Sequence, residues 1–563
     1  MKKIFALLLV LFVLVPCIIA CSCDSTTDSS KPSTDSSAPS TDSSKPSTDS
    51  SKPSTDSSKP STDSSVPSTD NSDTTQSTPD STQNSTQNST QNSTSSSTGS
   101  SAVKPTPGPE PIPEVTKKWS GETLDVLATV WTGEEPSAPW SQVELTVGEN
   151  DWTSDAHYGN TINVAVLTRA KEIKDNYGVT INWINSRSNQ ISTLISASLT
   201  TGASGQKYHI AMPRLLELQT IVKNNSIYDM ADSEYIHLDN SYYNQLARES
   251  YTVHGHTMFV AGDFSFLDEQ TAYLVYYNLA MSESINNFPD LYQKVRDGAW
   301  TIDEMTNVAK LVKKNTGTAE WTDEDTYGFG TTALSHFFAY SGIQQVKVNQ
   351  KTGKYEITLN DSRIDSLITK LIDITGADWA RTDWTGGYTA MGDAFLQGRL
   401  LFYDEVIQKS DYFTNQTDEF RVGVLPAPKL STAQEEYATQ CSYQSVMMCI
   451  PKSTKDREMS EYFVEILSYT GQKHIMKAYK DELQTKLDIK TAKDSLDMIE
   501  NYIFPNIKFD AGRVDGWNGL LSSVINESFS AGKNNFTAVF TQAQEEATTT
   551  VSEWNLNWED YYE

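Results

Sequence analysis

Cysteine is scarce, with five in 563 residues, and only two of them, Cys441 and Cys449, fall where a folded core is expected. These two flank the run Ser442 to Met448, which reads as one strand, and eight extended steps set their Cα atoms about 26 Å apart. A disulfide needs less than about 7 Å. Unless the run folds into a hairpin, both are free thiols, and no disulfide framework supports the fold. Basic residues are also few. With 44 Lys and Arg against 73 Asp and Glu, the formal net charge is -29, which disfavours nucleic acid and anionic membrane surfaces as partners, because phosphate contacts need clustered cations. Histidine occurs seven times. Only His254-Gly255-His256 approaches a metal-ligand spacing, and it sits where a hairpin would turn at the glycine, a structural role. No His-Glu-x-x-His, Gly-x-Ser-x-Gly or phosphate loop is present. Asp323 to Gly328 imitates the start of a calcium loop, but the twelfth position is Leu334 where a bidentate glutamate is needed. Neither a cofactor nor a metal is expected.

What the chain does have begins at its first residues. Lys2 and Lys3 precede an apolar run from Ile4 to Ile19 that ends in Ile18-Ile19-Ala20-Cys21, after which the chain turns polar. A charged start, a short apolar core and a small residue before the processing point mark an export signal. The aliphatic-x-small-Cys ending resembles the bacterial lipobox, which implies cleavage before Cys21, lipid such as palmitate on its thiol and a place outside the cytoplasm. The competing reading is an uncleaved anchor, for which the run falls short of the roughly 20 residues that span hydrocarbon. Two or more acyl chains anchor stably, at about 0.8 kcal/mol per buried methylene.

A spacer follows. Pro-Ser-Thr-Asp-Ser-Ser recurs with period seven from Pro32 to Ser65 and gives way to Asn-Ser-Thr-Gln repeats between Asn84 and Thr94, then to a proline-rich end at Lys104 to Pro113. A heptad invites a coiled-coil reading, but each unit carries proline and none carries apolar a and d positions. Disorder is expected over residues 21–116. A flexible chain of about 95 residues averages about 50 Å end to end and reaches about 300 Å at most, enough to hold a domain away from a membrane through a cell wall. Asn84, Asn88 and Asn92 lie in Asn-x-Ser/Thr sequons, although ordinary N-glycosylation is not expected behind a bacterial signal.

Past Val115 the composition changes: all twelve tryptophans lie between Trp119 and Trp558, and the remaining length implies two domains or one bilobal unit. Thr123 to Trp131 reads as a buried strand, Ile162 to Tyr177 as a helix stopped by Gly178, Val179 to Ile184 as a strand, Gln190 to Leu199 as a helix, Tyr208 to Met212 as a strand and Leu215 to Val222 as a helix. This alternation predicts an α/β fold with a largely parallel sheet. Ligands bind outside the carboxyl ends of such strands, which nominates Trp131 and Thr132, Asn185 and Ser186, and Arg214.

Further on, several segments carry a family resemblance. Tyr273 to Asn278 (Tyr-Leu-Val-Tyr-Tyr-Asn), Gly298-Ala299-Trp300-Thr301-Ile302-Asp303-Glu304, Phe395-Leu396-Gln397-Gly398 ahead of Arg399 to Phe402, Val422 to Lys429, and Ile450-Pro451-Lys452 stand in the order found in family 1 extracellular solute-binding proteins, the receptors of ABC sugar importers. Thr301 with Glu304 also reads as a capping box. The resemblance implies a two-lobed clamp with a hinge, one lobe about 117–270 and 445–500, the other about 271–444 and 501–563. The chain would cross near Asp263 to Ala272 and return near Cys441 to Cys449. It further implies a lipid-anchored, monomeric, non-enzymatic subunit that captures a saccharide and delivers it to permease subunits. A surface carbohydrate-binding protein without transporter and an extracellular glycosidase, served by an acidic pair such as Asp404-Glu405, are the alternatives. Sugar recognition uses aromatic faces and hydrogen-bonding side chains in a mostly preformed cleft. The loop Trp379 to Tyr388 offers Trp384 and Tyr388, the loop Gly512 to Asn518 offers Trp517, and Trp131, Asp263 and Asp404 complete the candidates with Arg214. Trp554 and Trp558 are expected to pack a final helix.

Overall fold

A computed structural model describes residues 113–129, 161–186, 190–202, 205–317, 320, 322–410, 413, 421–487, 491–513, 520–530 and 532–559. The signal segment, Cys21 and the spacer up to residue 112 lie outside them.

The first sheet follows the strand and helix alternation closely. It is built from β1 (Thr123–Thr129), α1 (Thr161–Tyr177), β2 (Thr180–Ser186), α2 (Ile191–Thr200) and β3 (Ile210–Met212). The strand order is β2-β1-β3, with both pairings parallel. Central β1 is buried from Val126 to Thr129 and at Leu124, whereas Thr123 at its amino end is exposed and Asp125 half-buried, in keeping with an apolar run of Val126 to Ala128 at the middle of the sheet. A distant segment extends this sheet through the antiparallel bridges Ala211 to Cys449 and Val260 to Met448. A short 3-10 turn, Leu215–Glu217, leads from β3 into α3 (Leu218–Lys223). There the Glu217 carboxylate accepts from the Ser192 N–H at 2.9 Å, tying the end of β3 to the first turn of α2.

The second sheet holds β4 (Tyr273–Asn278), β5 (Tyr327–Gly330), β6 (Ala380–Arg381), β7 (Leu400–Val406) and β8 (Val422–Leu425) in the order β6-β5-β7-β4-β8. Strand β4 runs antiparallel to both β7 and β8, whereas β5 is parallel to β6 and β7. The carboxyl ends of β5 to β8 therefore share one edge with the start of β4. One face buries Val275, Tyr277 and Phe402 around Trp300, and the other buries Tyr276 and Tyr403 around Phe395 and Trp384. Residues opposite one another in antiparallel strands share a face.

Local signals read from the sequence account for the strand entries. Thr301 caps the helix Ile302–Ala309, its hydroxyl accepting from the Glu304 N–H at 3.2 Å. The helix Gly387–Leu396 ends in Gln397 and Gly398, whose φ of 71° reverses the chain into β7. The 252–257 hairpin turns at His254 and Gly255, both at positive φ, 53° and 88°. The helix Ala492–Met498 lies against β8: the Ser495 hydroxyl meets Tyr292 Oη at 2.8 Å and accepts from the Val424 N–H at 3.2 Å. Trp554 and Trp558 are buried on the final helix, Phe536–Glu559, edge-on to Tyr355.

The sheets are joined by Phe264–Ala272, by Thr439–Ser445 and by Ile507–Phe509. Thr439–Gln440 pairs in parallel with Ile507–Lys508, and the Cys441 N–H donates to the Lys508 carbonyl at 3.0 Å. Cys441 and Cys449 are buried and free. The stretch between them is not one strand, because Tyr443 and Gln444 form a turn before the chain extends again at Val446. Among the described residues no helix is long and apolar enough to cross a membrane.

Candidate functional site

The same joining segment touches the functional ends of both sheets. Its Thr439 hydroxyl donates to the carbonyl of Tyr273 at the start of β4, and a few residues later the Ser445 carbonyl accepts from Leu215 N at 3.0 Å, just past β3. The carboxyl ends of β3 and of β7 thus converge on one junction, where ligands bind in open α/β sheets. Every residue from Tyr437 to Pro451 is buried except Tyr443 and Gln444. Arg214, fully buried, donates through Nη1 to Gln444 Oε1, and burial pushes its guanidinium down to about 10. From the second sheet, the Gln408 N–H donates to the Gln270 carbonyl at 3.1 Å. The side-chain oxygens of these two glutamines are buried and meet no donor among the described residues. A buried carboxamide without a partner costs roughly 1–3 kcal/mol, a cost that a ligand hydroxyl able to donate and accept would remove.

The sequence-derived candidates fall in different places. Asp404 is buried in a closed network, accepting from Thr331 Oγ1 at 2.9 Å and from Tyr340 Oη, with His336 Nδ1 at 3.4 Å. His336 in turn carries the Tyr273 ring at a centroid distance of 4.0 Å. Glu405, the next residue of β7, points to the opposite face, where it accepts from Tyr403 Oη at 3.1 Å and from Val406 N at 3.0 Å. The two carboxyl groups cannot flank one glycosidic bond. Asp263 is half-buried in a turn, its N–H on the Tyr242 carbonyl at 2.9 Å. Trp384 is 7% exposed, edge-on to Tyr327, with its indole N–H spent on the Arg381 carbonyl at 3.0 Å. Tyr388 lies in the first turn of the helix Gly387–Leu396, and its side chain lies outside the described residues, as do Trp131 and Trp517. Near the Trp384 loop, a depression of about 360 Å³ is lined by Tyr327, Thr375, Asp378, Arg381 and Asp383 among others. Sequence reasoning missed Gln270, Gln408, Tyr443 and Gln444; applying the strand-end rule to β7 would have reached Gln408.

Burial pushes the Glu405 carboxyl up to about 7, against the opposing pull of the Val406 N–H and Lys409. Between the unfolded carboxylate value and about 7 the folded chain holds a proton that the unfolded chain releases, so this group's contribution to stability is full below the unfolded value and is lost as pH rises to about 7. Glu405→Gln should flatten that part of the profile. Denaturant midpoints measured from pH 4 to 8 check it, and an unchanged slope would contradict it.

No group of three or more His, Cys, Asp or Glu suited to a metal occurs among the described residues. Residues 168–481, more than half of the chain, match the profile of bacterial extracellular solute-binding proteins. The chain belongs to this family. Among solved structures, the sugar-binding protein MalE of Xanthomonas citri aligns with this solute-binding protein at 12% identity, over 78% of its chain and 100% of MalE, with a TM-score of 0.51. The ABC substrate-binding protein Lmo0181 of Listeria monocytogenes, in complex with cycloalternan, aligns at 12% identity over 77% and 99% with a TM-score of 0.48. The maltose/maltodextrin-binding domain MalE of Bdellovibrio bacteriovorus, bound to maltotriose, gives 10%, 76%, 100% and 0.45. At such identities the likeness speaks for the fold alone, and the Xanthomonas alignment carries it: this solute-binding protein is a two-lobed clamp. No curated protein sequence matches it.

Proposed function

We propose that this solute-binding protein is the lipid-anchored receptor of an ABC importer, capturing an uncharged carbohydrate of a few sugar units by closure of its two lobes and presenting it to permease subunits. The observation that carries the carbohydrate reading is the chemistry of the junction. Gln270 on a joining segment and Gln408 just past β7 supply neutral carboxamides, and Gln444 supplies a third next to the partly exposed Tyr443. Carboxamides match hydroxyl groups, which also donate and accept at once. The lobes divide near residues 271 and 445, as the joining segments suggest, and the ligand biases closure only by binding the closed form more tightly. Cys21 carries the acyl chains and the spacer sets the reach. The Asp404 network, closed on itself, supports a binding role over a glycosidase. Thermal denaturation of the full chain with maltotriose, cellotriose and an N-acetylglucosamine trimer tests the reading. Saturation a hundredfold above Kd should add about 2.7 kcal/mol of stability with no cleavage of the sugar; hydrolysis, or stabilisation by none of the three, would overturn it.

A further inference from the structure

The turn at Tyr443 and Gln444 has no counterpart in the surrounding backbone, which is extended and buried on either side. A local bond makes it: the Gln444 N–H donates to the Ser442 hydroxyl at 3.2 Å, a side-chain turn that draws the chain out of the strand. A distant group then fixes it, because Arg214, 230 residues away, donates to Gln444 Oε1 from a fully buried position and lies within electrostatic reach of the Tyr443 hydroxyl. The guanidinium is planar and rigid, so its bond holds Gln444 in one orientation. Arg214 has no exposed surface, whereas Tyr443 and Gln444 are both partly exposed.

We propose that Tyr443 presents its ring to the bound solute as the aromatic platform of the junction, and that Arg214 is a positioning residue that acts through Gln444. The inference rests on the carbohydrate reading above and adds that the solute offers an apolar ring face. A pyranose stacked on a tyrosine ring meets that requirement, since its axial C–H groups form an apolar patch over the aromatic surface.

Calorimetric titration of the full chain with the same three trisaccharides tests it. With the trisaccharide that wild type binds, Tyr443→Ala should weaken affinity by about 10- to 100-fold, the range for loss of an aromatic anchor, with the melting temperature unmoved, while Tyr443→Phe keeps affinity within about threefold because the face is retained. Arg214→Gln should weaken binding in the wild-type background yet change nothing further in Gln444→Ala, as expected of a residue acting through another. Undiminished affinity in Tyr443→Ala, or additive losses in the double variant, would overturn the inference while leaving the carbohydrate reading intact. Wild type that binds none of the three overturns that reading and this inference with it.

Discussion

Replacing Glu465 by Ala is expected to cost about 3–5 kcal/mol, because it strands several buried donors at about 1–3 kcal/mol each. Glu465 lies on the helix Arg457–Thr470 and is 2% exposed. Its carboxylate accepts from Tyr242 Oη, from Tyr243 Oη at 2.7 Å, and from the His237 N–H at 3.1 Å, with His237 Nδ1 at 2.9 Å. Both phenols are almost wholly buried, and burial raises the Tyr243 pKa well above its ordinary value, so ionisation offers no escape. The loop from His237 to Asn244 then loses its attachment to the helix. Adding Tyr242→Phe and Tyr243→Phe to the Ala variant should recover part of the loss, since removing both members of a hydrogen bond costs less than stranding one. Chemical denaturation of both variants beside wild type checks this, and a loss below about 1 kcal/mol in Glu465→Ala would show that water satisfies the phenols.

Trp384→Ala should be comparably severe for folding, about 3–5 kcal/mol, and mild for binding. The ring is packed in the core among Tyr327 and its neighbours, and its one polar atom is already bonded. A tryptophan serving as a ligand platform would show the reverse, strong loss of affinity with stability retained. Denaturant midpoint and calorimetric affinity on the same variant separate the two, and retained stability would contradict the packing.

These two residues show what a sequence can and cannot disclose. The strands β1 to β3, the Thr301 cap and the Gly398 helix end were legible because each depends on neighbours a few residues apart: apolar alternation, a hydroxyl facing an N–H, a glycine at positive φ. Trp384 sits in a polar, glycine-containing loop and so reads as exposed, yet its burial comes from Tyr327, which sequence pattern does not connect to it. The turn at Tyr443 is hidden for the same reason. Ser442 to Met448 reads as one strand, and the turn is distinguished by the bond of the Gln444 N–H to the Ser442 hydroxyl together with the pairing of Gln444 with Arg214 across 230 residues. The carboxyl edge of the second sheet is equally obscure. Asp404 was noticed as one of a carboxylate pair, but strand alternation sends the pair to opposite faces, and Asp404 is spent on Thr331, Tyr340 and His336. Gln270 and Gln408 carry no motif at all; they stand out only once burial shows that their side-chain oxygens meet no donor among the described residues.

The central claim is that a solute closes the two lobes on each other. Spin labels on cysteines introduced at Leu199 on α2 and at Leu311 beyond the helix Ile302–Ala309, both exposed at 38% and 56%, would report one distance between the halves in a full chain whose Cys17, Cys21 and Cys23 are replaced by serine. The account predicts that a saturating saccharide converts the distance distribution to a shifted and narrower one. Saturation shown by calorimetry with the distribution unmoved would contradict it.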